Sequence, residues 1–262
     1  MTADDASTLS WDAERRFGGL RRLHGDAAYA RLRAARIAVV GLGGVGSWTV
    51  EALARSGVAG LALVDLDHVA ESNINRQVQA LGSTLGMAKA QALRERVRDI
   101  HPGCEVIPIE DFASAENWPA LLGGAPVDAL VDACDQPRAK AALAAWARKT
   151  RTPFVVVGAA GGKQLPQEVR VADLAEATHD PLLAALRQRL RKEHGAPRTG
   201  AMGLRSVFSR EAVHRPATGD DCALDGSLNC HGYGSSVAVT ATFGMVAAAE
   251  ALRLIVEPDA KL

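Results

Sequence analysis

The chain has 262 residues, of which 48% are hydrophobic and 23% are charged, so its composition excludes a wholly disordered protein. Basic and acidic side chains number 30 each, and the zero formal charge gives no global sign of nucleic-acid binding. Four cysteines in a chain of this length exclude a disulfide scaffold, and residues 1–10 lack the basic start and apolar core of a signal peptide. We therefore expect a cytoplasmic α/β protein.

The first recognisable unit is a strand, a glycine-rich turn, a helix and a second strand. A loose tail at 1–10 and helical residues 11–36 precede the apolar run Ile37–Val40. Residues Ser47–Ser56 are predicted to be helical, and the next apolar run, Leu61–Val64, ends on Asp65. Glycines let a backbone approach phosphate, and an acid after the second strand can bond ribose hydroxyls. This pattern predicts a nucleotide-binding site whose cofactor-binding residues begin with Gly41, Gly43, Gly44, Gly46 and Asp65.

The polar segment after Asp65 indicates which kind of nucleotide the site binds. The glycines also satisfy the G-x-G-x-x-G pattern, so an NAD-dependent dehydrogenase stays open as an alternative. However, hydride transfer does not call for an arginine and two asparagines at this sheet edge, whereas reaction at a phosphate needs fixed donors. The candidates in this segment are Asp67, Asn73, Asn75, Arg76 and Gln77.

The next segments continue the alternation of helices and strands. A helix is predicted over Thr84–Ile100, with Lys89 near its start, and a strand over Glu105–Ile109. The apolar run Val127–Val131 predicts a parallel strand covered on both faces, and Asp135 follows it. Asp135 is either a ligand-binding acid at the carboxyl edge of the sheet or the N-cap of a helix over Pro137–Lys149. Strands over Phe154–Gly158 and Gln167–Val171 complete a Rossmann-like, doubly wound, mostly parallel sheet with helices on both faces.

These motifs together resemble one family. GxGGxG, then DxDxVxxSNxNRQ, then the lysine of GMAKA, is similar to the adenylate-forming enzymes related to ubiquitin-activating enzyme. The resemblance implies ATP and Mg²⁺ as cofactors. It implies that the glycines cradle phosphates, that Asp65 holds the ribose, and that Asn73, Arg76 and Lys89 neutralise the triphosphate. It also places Asp135 near the metal and the α-phosphate, so the catalytic candidates are Arg76, Lys89 and Asp135.

The C-terminal half resembles one branch of that family. AAGGK, DPLLAALRQRLRK, VFSREAV and CHGYGSSVAVTATFGMVAA are similar to the tRNA threonylcarbamoyladenosine dehydratases, which cyclise a threonylcarbamoyl group on the adenosine beside the anticodon. This implies tRNA as a partner, a homodimer, and a cysteine desulfurase or sulfur acceptor as a further class of partner. The alternatives are an adenylyltransferase acting on the C-terminal glycine of a ubiquitin-like sulfur carrier, and a non-enzymatic tRNA-binding scaffold. The C-x-x-C zinc pairs common in sulfur-carrier activators are absent from the sequence.

On this basis the chain divides into three regions. Residues 1–36 form an N-terminal tail and helical segment, 37–160 the nucleotide-binding core, and 161–262 a substrate and dimerisation region of the same domain. An arginine before the core reaches the partner's nucleotide in relatives. Ungapped register puts Gly19 at that position, so Arg16, Arg21 or Arg22 could supply the charge instead, although a solvated helix face is the favoured interpretation of each one singly.

The last hundred residues hold several weaker candidates. Eight bases and two acids between Arg187 and Arg215 give a local charge of +6, which favours contact with a phosphate backbone over a merely solvated helix face. The apolar helix predicted over Ser235–Val256 is interpreted as buried or at a dimer interface, and membrane anchoring is kept as a lesser alternative. The remaining candidates are Phe112 near the adenine, Phe208, His231 and Tyr233 as stacking groups, and Cys222 and Cys230 as packed or sulfur-handling thiols.

Overall fold

A computed structural model describes residues 11–214 and 233–257. In this part of the chain seven strands form one sheet in the order β3-β2-β1-β4-β5-β7-β6. The first six in that order are parallel, and β6 pairs antiparallel with β7. The strands are β1 Arg36–Val40, β2 Gly60–Val64, β3 Glu105–Ile109, β4 Ala129–Asp132, β5 Phe154–Val157, β6 Val169–Asp173 and β7 Arg205–Ser209.

Helices connect the strands and cover both faces of the sheet. The α-helices are α1 Ala13–His24, α2 Asp26–Ala34, α3 Gly46–Arg55, α4 Lys89–Ile100, α5 Pro137–Thr150, α6 Pro181–Glu193 and α7 Val237–Val256. Single 3-10 turns occur at Glu71–Asn73, Gly82–Thr84, Ala120–Leu122, Pro166–Glu168 and Leu174–Glu176.

The sheet separates two hydrophobic cores because successive strand residues face opposite sides. In β1, Ile37 and Val39 pack with side chains of α3, α4 and α7, whereas Ala38 and Val40 pack with side chains of α5 and α6. All four are buried, as expected for a parallel strand covered on both faces. The predicted fold class is therefore confirmed.

The strand order places the candidate site. From β1 the chain winds outward through β2 to β3 on one side, and β4, β5 and β7 lie on the other. Ligands of open α/β sheets bind at this switch point, outside the carboxyl ends of the strands where the winding reverses. Here the glycine loop after β1 and the loop after β4 meet at that point.

Several element predictions need correction. Helix α4 begins at Lys89 rather than Thr84, because Gly82–Thr84 forms a separate turn and Gly86 adopts a left-handed φ of 82°. The helical segment before the core is two helices, broken at Gly25 with a φ of 79°. The strand predicted over 167–171 lies at 169–173. Strand β7, which completes the sheet, was not predicted.

Helix α7 is the one described helix long and apolar enough to cross a membrane. Within the protein it packs against α3 and the central strands, with Phe243, Ala247 and Ala251 fully buried. Gly244 allows close packing, since an added Cβ would lie 2.6 Å from the carbonyl oxygen of Val45. These contacts make α7 a core helix and bear out its interpretation as buried.

Candidate active site

The glycine loop after β1 is packed tightly onto the loop after β4. Gly41 has a φ of +84°, and a Cβ added to it would lie 2.6 Å from the backbone nitrogen of Cys134. A Cβ on Gly46 would lie 1.8 Å from the carbonyl oxygen of Gly41. Only glycine fits these two positions, so the loop is held close to the sheet at the start of α3.

Gly43 and Gly44 occupy the outer part of the same loop. A Cβ on Gly43 would meet nothing within 4 Å, whereas one on Gly44 would touch Thr240 of α7 and the side chain of Arg76. The N-terminus of α3 follows directly, and helix N-termini attract anions. The loop can therefore receive a phosphate group on its open side.

Asp65 fixes two backbone segments beside this loop. Its carboxylate accepts hydrogen bonds from the backbone N–H of Leu42 at 2.6 Å and of Asp67 at 2.9 Å. Burial raises the pKa of the Asp65 carboxyl, although Lys89 and these two hydrogen bonds act in the opposite direction. Asp65 thus orients the glycine loop in addition to the ribose-binding role expected of it.

Lys89 lies at the first position of α4 and pairs with Asp67. The distance between Lys89 Nζ and Asp67 Oδ2 is 2.7 Å, and the backbone N–H of Lys89 donates to the carbonyl of Asp67. The lysine side chain is only 8% exposed, whereas that of Asp67 is 55% exposed. A buried ammonium held by an exposed carboxylate can exchange that partner for a phosphate.

Arg76 is buried beside the glycine loop. Its guanidinium donates to the carbonyl of Ser72 at 2.6 Å and to the side chain of Asn75 at 2.9 Å. The Arg76 carbonyl accepts from the indole of Trp48 and the hydroxyl of Thr240. A pocket of about 560 Å³ opens next to this group, lined by Glu71, Ser72, Ile74, Asn75, Arg76, Gly234 and Ser235.

The remaining polar residues of this segment hold its backbone and side chains in place. Asn73 accepts from the N–H of Ala70 at 3.1 Å, and Asn75 donates to the carbonyl of Ser235 at 3.0 Å. Gln77 is buried and accepts from the side chain of Gln79. Asn73 and Gln77 therefore have a structural role at the site.

Asp135 lies in the loop after β4, half-buried and one residue before the helix cap. The N-cap of α5 is Gln136, which makes no side-chain capping bond, so the interpretation of Asp135 as the cap is wrong. A buried ion pair that sequence reasoning missed joins the end of β4 to α5 across this loop. Lys140 Nζ lies 3.1 Å from Asp132 Oδ1 and 2.8 Å from the carbonyl of Cys134, with both charged side chains fully buried.

Nearby thiols and aromatics have no evident chemical role in the site. Burial raises the pKa of the Cys134 thiol far above its usual range, so the thiolate is disfavoured. Phe208 is buried in the core and cannot stack on a base, which corrects that prediction, whereas Phe112 is 51% exposed. The predictions for Arg215, Cys222, Cys230 and His231 lie outside the described residues.

The N-terminal arginines and the basic stripe are weaker site candidates, and some of their side chains bind other groups of the protein. Arg16 donates to the carbonyls at the end of α4, and Arg21 pairs with Glu14 at 2.8 Å. In the predicted basic stripe, Arg187 donates to two backbone carbonyls and Arg205 pairs with Glu250 at 2.6 Å. Arg187 and Arg205 are thus held by contacts within the protein, and the exposed described bases of the stripe are Lys192, Arg198 and Arg210.

Taken together, the switch point gathers the predicted side chains at one edge of the sheet. The glycine loop, Asp65, the Lys89–Asp67 pair, the Arg76 pocket and the Asp135 loop all follow the carboxyl ends of β1, β2 and β4. This set supplies backbone donors, two cations and carboxylates. Such an arrangement can bind a nucleotide and stabilise negative charge developing at its phosphates.

Comparison with known proteins supports this assignment. The tRNA threonylcarbamoyladenosine dehydratase of Escherichia coli (strain K12) is 41% identical over 94% of this chain and 95% of its own length. Crystal structures of the E. coli tRNA N6-threonylcarbamoyladenosine dehydratase in complex with ATP and with AMP superpose with TM-scores of 0.84 and 0.85. These structures are 40% identical and cover 94% and 98% of this chain, and 96% and 100% of their own chains.

The sulfur-carrier branch is more distant. The molybdopterin-synthase adenylyltransferase of E. coli (strain K12) is 32% identical over only 47% of this chain and 49% of its own length. By contrast, the ThiF family model matches residues 16–261, which include the nucleotide-binding core and α7. The chain therefore belongs to the ThiF family.

Proposed function

We propose that this protein is an ATP-dependent tRNA threonylcarbamoyladenosine dehydratase. The observation that carries the proposal is identity of 41% over nearly the whole length of the E. coli dehydratase, together with a glycine loop that is open at Gly43. Relatives of the same fold crystallise with ATP, which an adenylation step consumes, and with AMP, which is released when the acyl-adenylate reacts further.

The reaction proceeds in two steps. The threonyl carboxylate of the substrate attacks the α-phosphorus of ATP, and the bond to pyrophosphate breaks. A nucleophile within the threonylcarbamoyl group then attacks the activated carbonyl, closes a ring and expels AMP. One carboxylate oxygen leaves on AMP, so the nucleoside loses one water in total.

The protein contributes orientation and charge. In this proposal the backbone N–H groups of the glycine loop, Arg76 and Lys89 stabilise the negative charge that develops on the phosphates, and Asn73 holds the backbone of the polar segment. Asp65 orients the loop and the ribose. Because the acyl-adenylate activates the carboxylate, the reaction needs no nucleophilic side chain from the protein.

The residues present fit a magnesium ion shared with the nucleotide. Among residues 11–214 and 233–257, no group of three or more histidine, cysteine or acidic side chains could hold a metal alone. Mg²⁺ at nucleotide sites is typically held by one or two carboxylates with phosphates and water, and Asp135 would supply one carboxylate. Bound there, the ion would neutralise phosphate charge.

The site assignment is tested by removing single charges. Arg76→Ala and Asp135→Ala should fold yet form AMP at least about a hundredfold more slowly than the wild type. Arg98→Ala, on an exposed part of α4, is the matched control and should keep the wild-type rate. Wild-type AMP production by both site variants would refute these assignments.

The adenylate itself has a separate test. Substrate labelled with ¹⁸O in the threonyl carboxylate should transfer one labelled oxygen to AMP, which mass spectrometry detects. Release of the label as water would exclude an acyl-adenylate. This result is independent of which side chains bind the nucleotide.

Exposed bases on and after α6 are the candidate tRNA contacts. Lys192, Arg198 and Arg210 are exposed, and such side chains bind phosphate backbones through salt-sensitive contacts. Changing all three to alanine should weaken tRNA binding and flatten its salt dependence, while ATP binding stays unchanged. Equal tRNA affinity would exclude these bases as contacts.

A homodimer in the cytoplasm is the assembly that we propose. Val237 and Met245 are 45% and 41% exposed on the outer face of α7, which gives an apolar surface for a second copy. Light scattering coupled to size-exclusion chromatography distinguishes one copy from two. Association with a cysteine desulfurase or sulfur acceptor stays a prediction.

A further inference from the structure

Two consecutive peptide groups in the glycine loop are each held by a buried side chain. The N–H of Leu42 donates to Asp65 Oδ2 at 2.6 Å. The carbonyl of Leu42 accepts from Gln79 Nε2 at 3.0 Å. Asp65 therefore fixes the peptide group before Leu42, and Gln79 fixes the one after it.

The hydrogen bond from Gln79 to the Leu42 carbonyl sets the direction of the Gly43 N–H. The carbonyl of Leu42 and the N–H of Gly43 belong to the same planar peptide group, in which they point to opposite sides. The peptide is trans, since the described residues contain a cis bond only at Trp118–Pro119. Turning the Leu42 carbonyl inward to Gln79 therefore turns the Gly43 N–H outward.

The space around Gly43 matches a donor directed at a ligand. A Cβ on Gly43 would meet no atom within 4 Å. Within residues 11–214 and 233–257, no group accepts a hydrogen bond from the Gly43 N–H. The donor lies at the open side of the loop, just before the N-terminus of α3.

Gln79 is placed for donation more than for packing. It is 2% exposed, and its Nε2 donates both to the Leu42 carbonyl and to Gln77 Oε1 at 3.1 Å. Its own Oε1 is buried and accepts no hydrogen bond in the described part of the chain. Burying the Gln79 Oε1 without a hydrogen bond costs stability. The contribution of this side chain must therefore come from its NH₂ group, which donates two hydrogen bonds.

We propose that Gln79 is a positioning residue for phosphate binding, acting through the Leu42 carbonyl to direct the Gly43 N–H at the nucleotide. This rests on the proposed ATP site. Gln79 contacts the loop on the side away from the proposed nucleotide, so its role is to position the loop and not to touch the reacting atoms. Its effect should therefore fall on ligands that carry phosphates and spare the nucleoside.

The test compares ATP with adenosine by calorimetry. The quantity measured is the Kd for adenosine divided by the Kd for ATP, which isolates the contribution of the phosphates. Gln79→Met keeps the volume but removes the donors, and should lower this ratio about three- to tenfold. Adenosine affinity should stay unchanged. Gln79→His, which retains an N–H donor, should restore part of the ratio.

The control and the contrary outcomes are distinct. Gln188→Met makes the same chemical change at an exposed position of α6 and should leave the ratio unchanged. If Gln79→Met does not fold, Gln79→Leu tests the same point, because it also removes the NH₂ donors and places no charge near the phosphates. A wild-type ratio above one that Gln79→Met leaves intact would overturn this inference alone. A wild-type ratio of one would overturn the proposed ATP site as well.

Discussion

Replacing Lys140 with methionine should destabilise the protein strongly, although Lys140 lies outside the predicted nucleotide contacts. Its ammonium is fully buried and donates to Asp132 Oδ1, the Asp132 carbonyl and the Cys134 carbonyl. Removing it leaves the Asp132 carboxylate buried, with no other cation of the described residues at hydrogen-bond distance. The pair also closes the loop that carries Asp135.

The magnitude follows from burial of both charges. Removing one partner of a buried ion pair costs about 3–5 kcal/mol, because the remaining charge is uncompensated. For a domain of this size each kcal/mol lowers Tm by about 2–4 °C, so the expected loss is roughly 6–20 °C. Asp132→Asn combined with Lys140→Met should recover part of it. The neutral amide leaves no buried charge, and its oxygen can still accept from the Cys134 N–H.

Urea unfolding followed by circular dichroism measures these differences. Lys149→Met, an exposed lysine on the same helix, is the control and should change the free energy of unfolding by less than about 0.5 kcal/mol. Two results would refute the reasoning. One is a free energy of unfolding for Lys140→Met equal to that of Lys149→Met. The other is a double variant no more stable than Lys140→Met.

Three further predictions concern the loop, the site lysine and pH. Gly46→Ala should lower Tm markedly, since its Cβ would lie 1.8 Å from the Gly41 carbonyl oxygen, whereas Gly43→Ala should not; equal melting curves would contradict this. Lys89→Met should slow AMP formation about a hundredfold, measured by chromatography of the nucleotides, with Lys149→Met unchanged. Burial, with Arg33 and Arg16, lowers the pKa of His101 from 6.5 to about 4. The unfolded chain therefore binds more protons in this range, so folding stability should fall as pH drops from 6.5 to 4. His101→Gln should reduce that slope in urea titrations, and an unchanged slope would exclude His101 as its source.

The central βαβ unit was predictable because its signals are local. Strand β1, the glycine turn and α3 each follow from apolar runs and glycines within twenty residues. The site acids come directly after strands, and parallel strands bring their carboxyl ends to one edge. For that reason the sequence alone was enough to place Asp65, Asp67 and Asp135 at the same edge.

Contacts between distant segments could not be predicted in the same way. Nothing in the spacing of Leu42 and Gln79 indicates that they share a hydrogen bond, and Thr240 reaches the Arg76 carbonyl from 164 residues away. Lys140 follows the strand-ending Asp132 by eight residues, and this spacing does not by itself indicate a buried ion pair. Strand β7 was missed because only Val207 and Phe208 of RSVFS are apolar, so it lacks the continuous apolar run that predicts β1 and β5.

The measurement that tests the proposed function most directly is the mass of the modified nucleoside. The protein is incubated with ATP, Mg²⁺ and tRNA that carries threonylcarbamoyladenosine, and the tRNA is then digested and its nucleosides weighed by mass spectrometry. We predict that this nucleoside loses one water while AMP is released in equal amount. An unchanged nucleoside mass with ATP bound would contradict the proposed substrate and leave a protein carboxylate as the group to be activated.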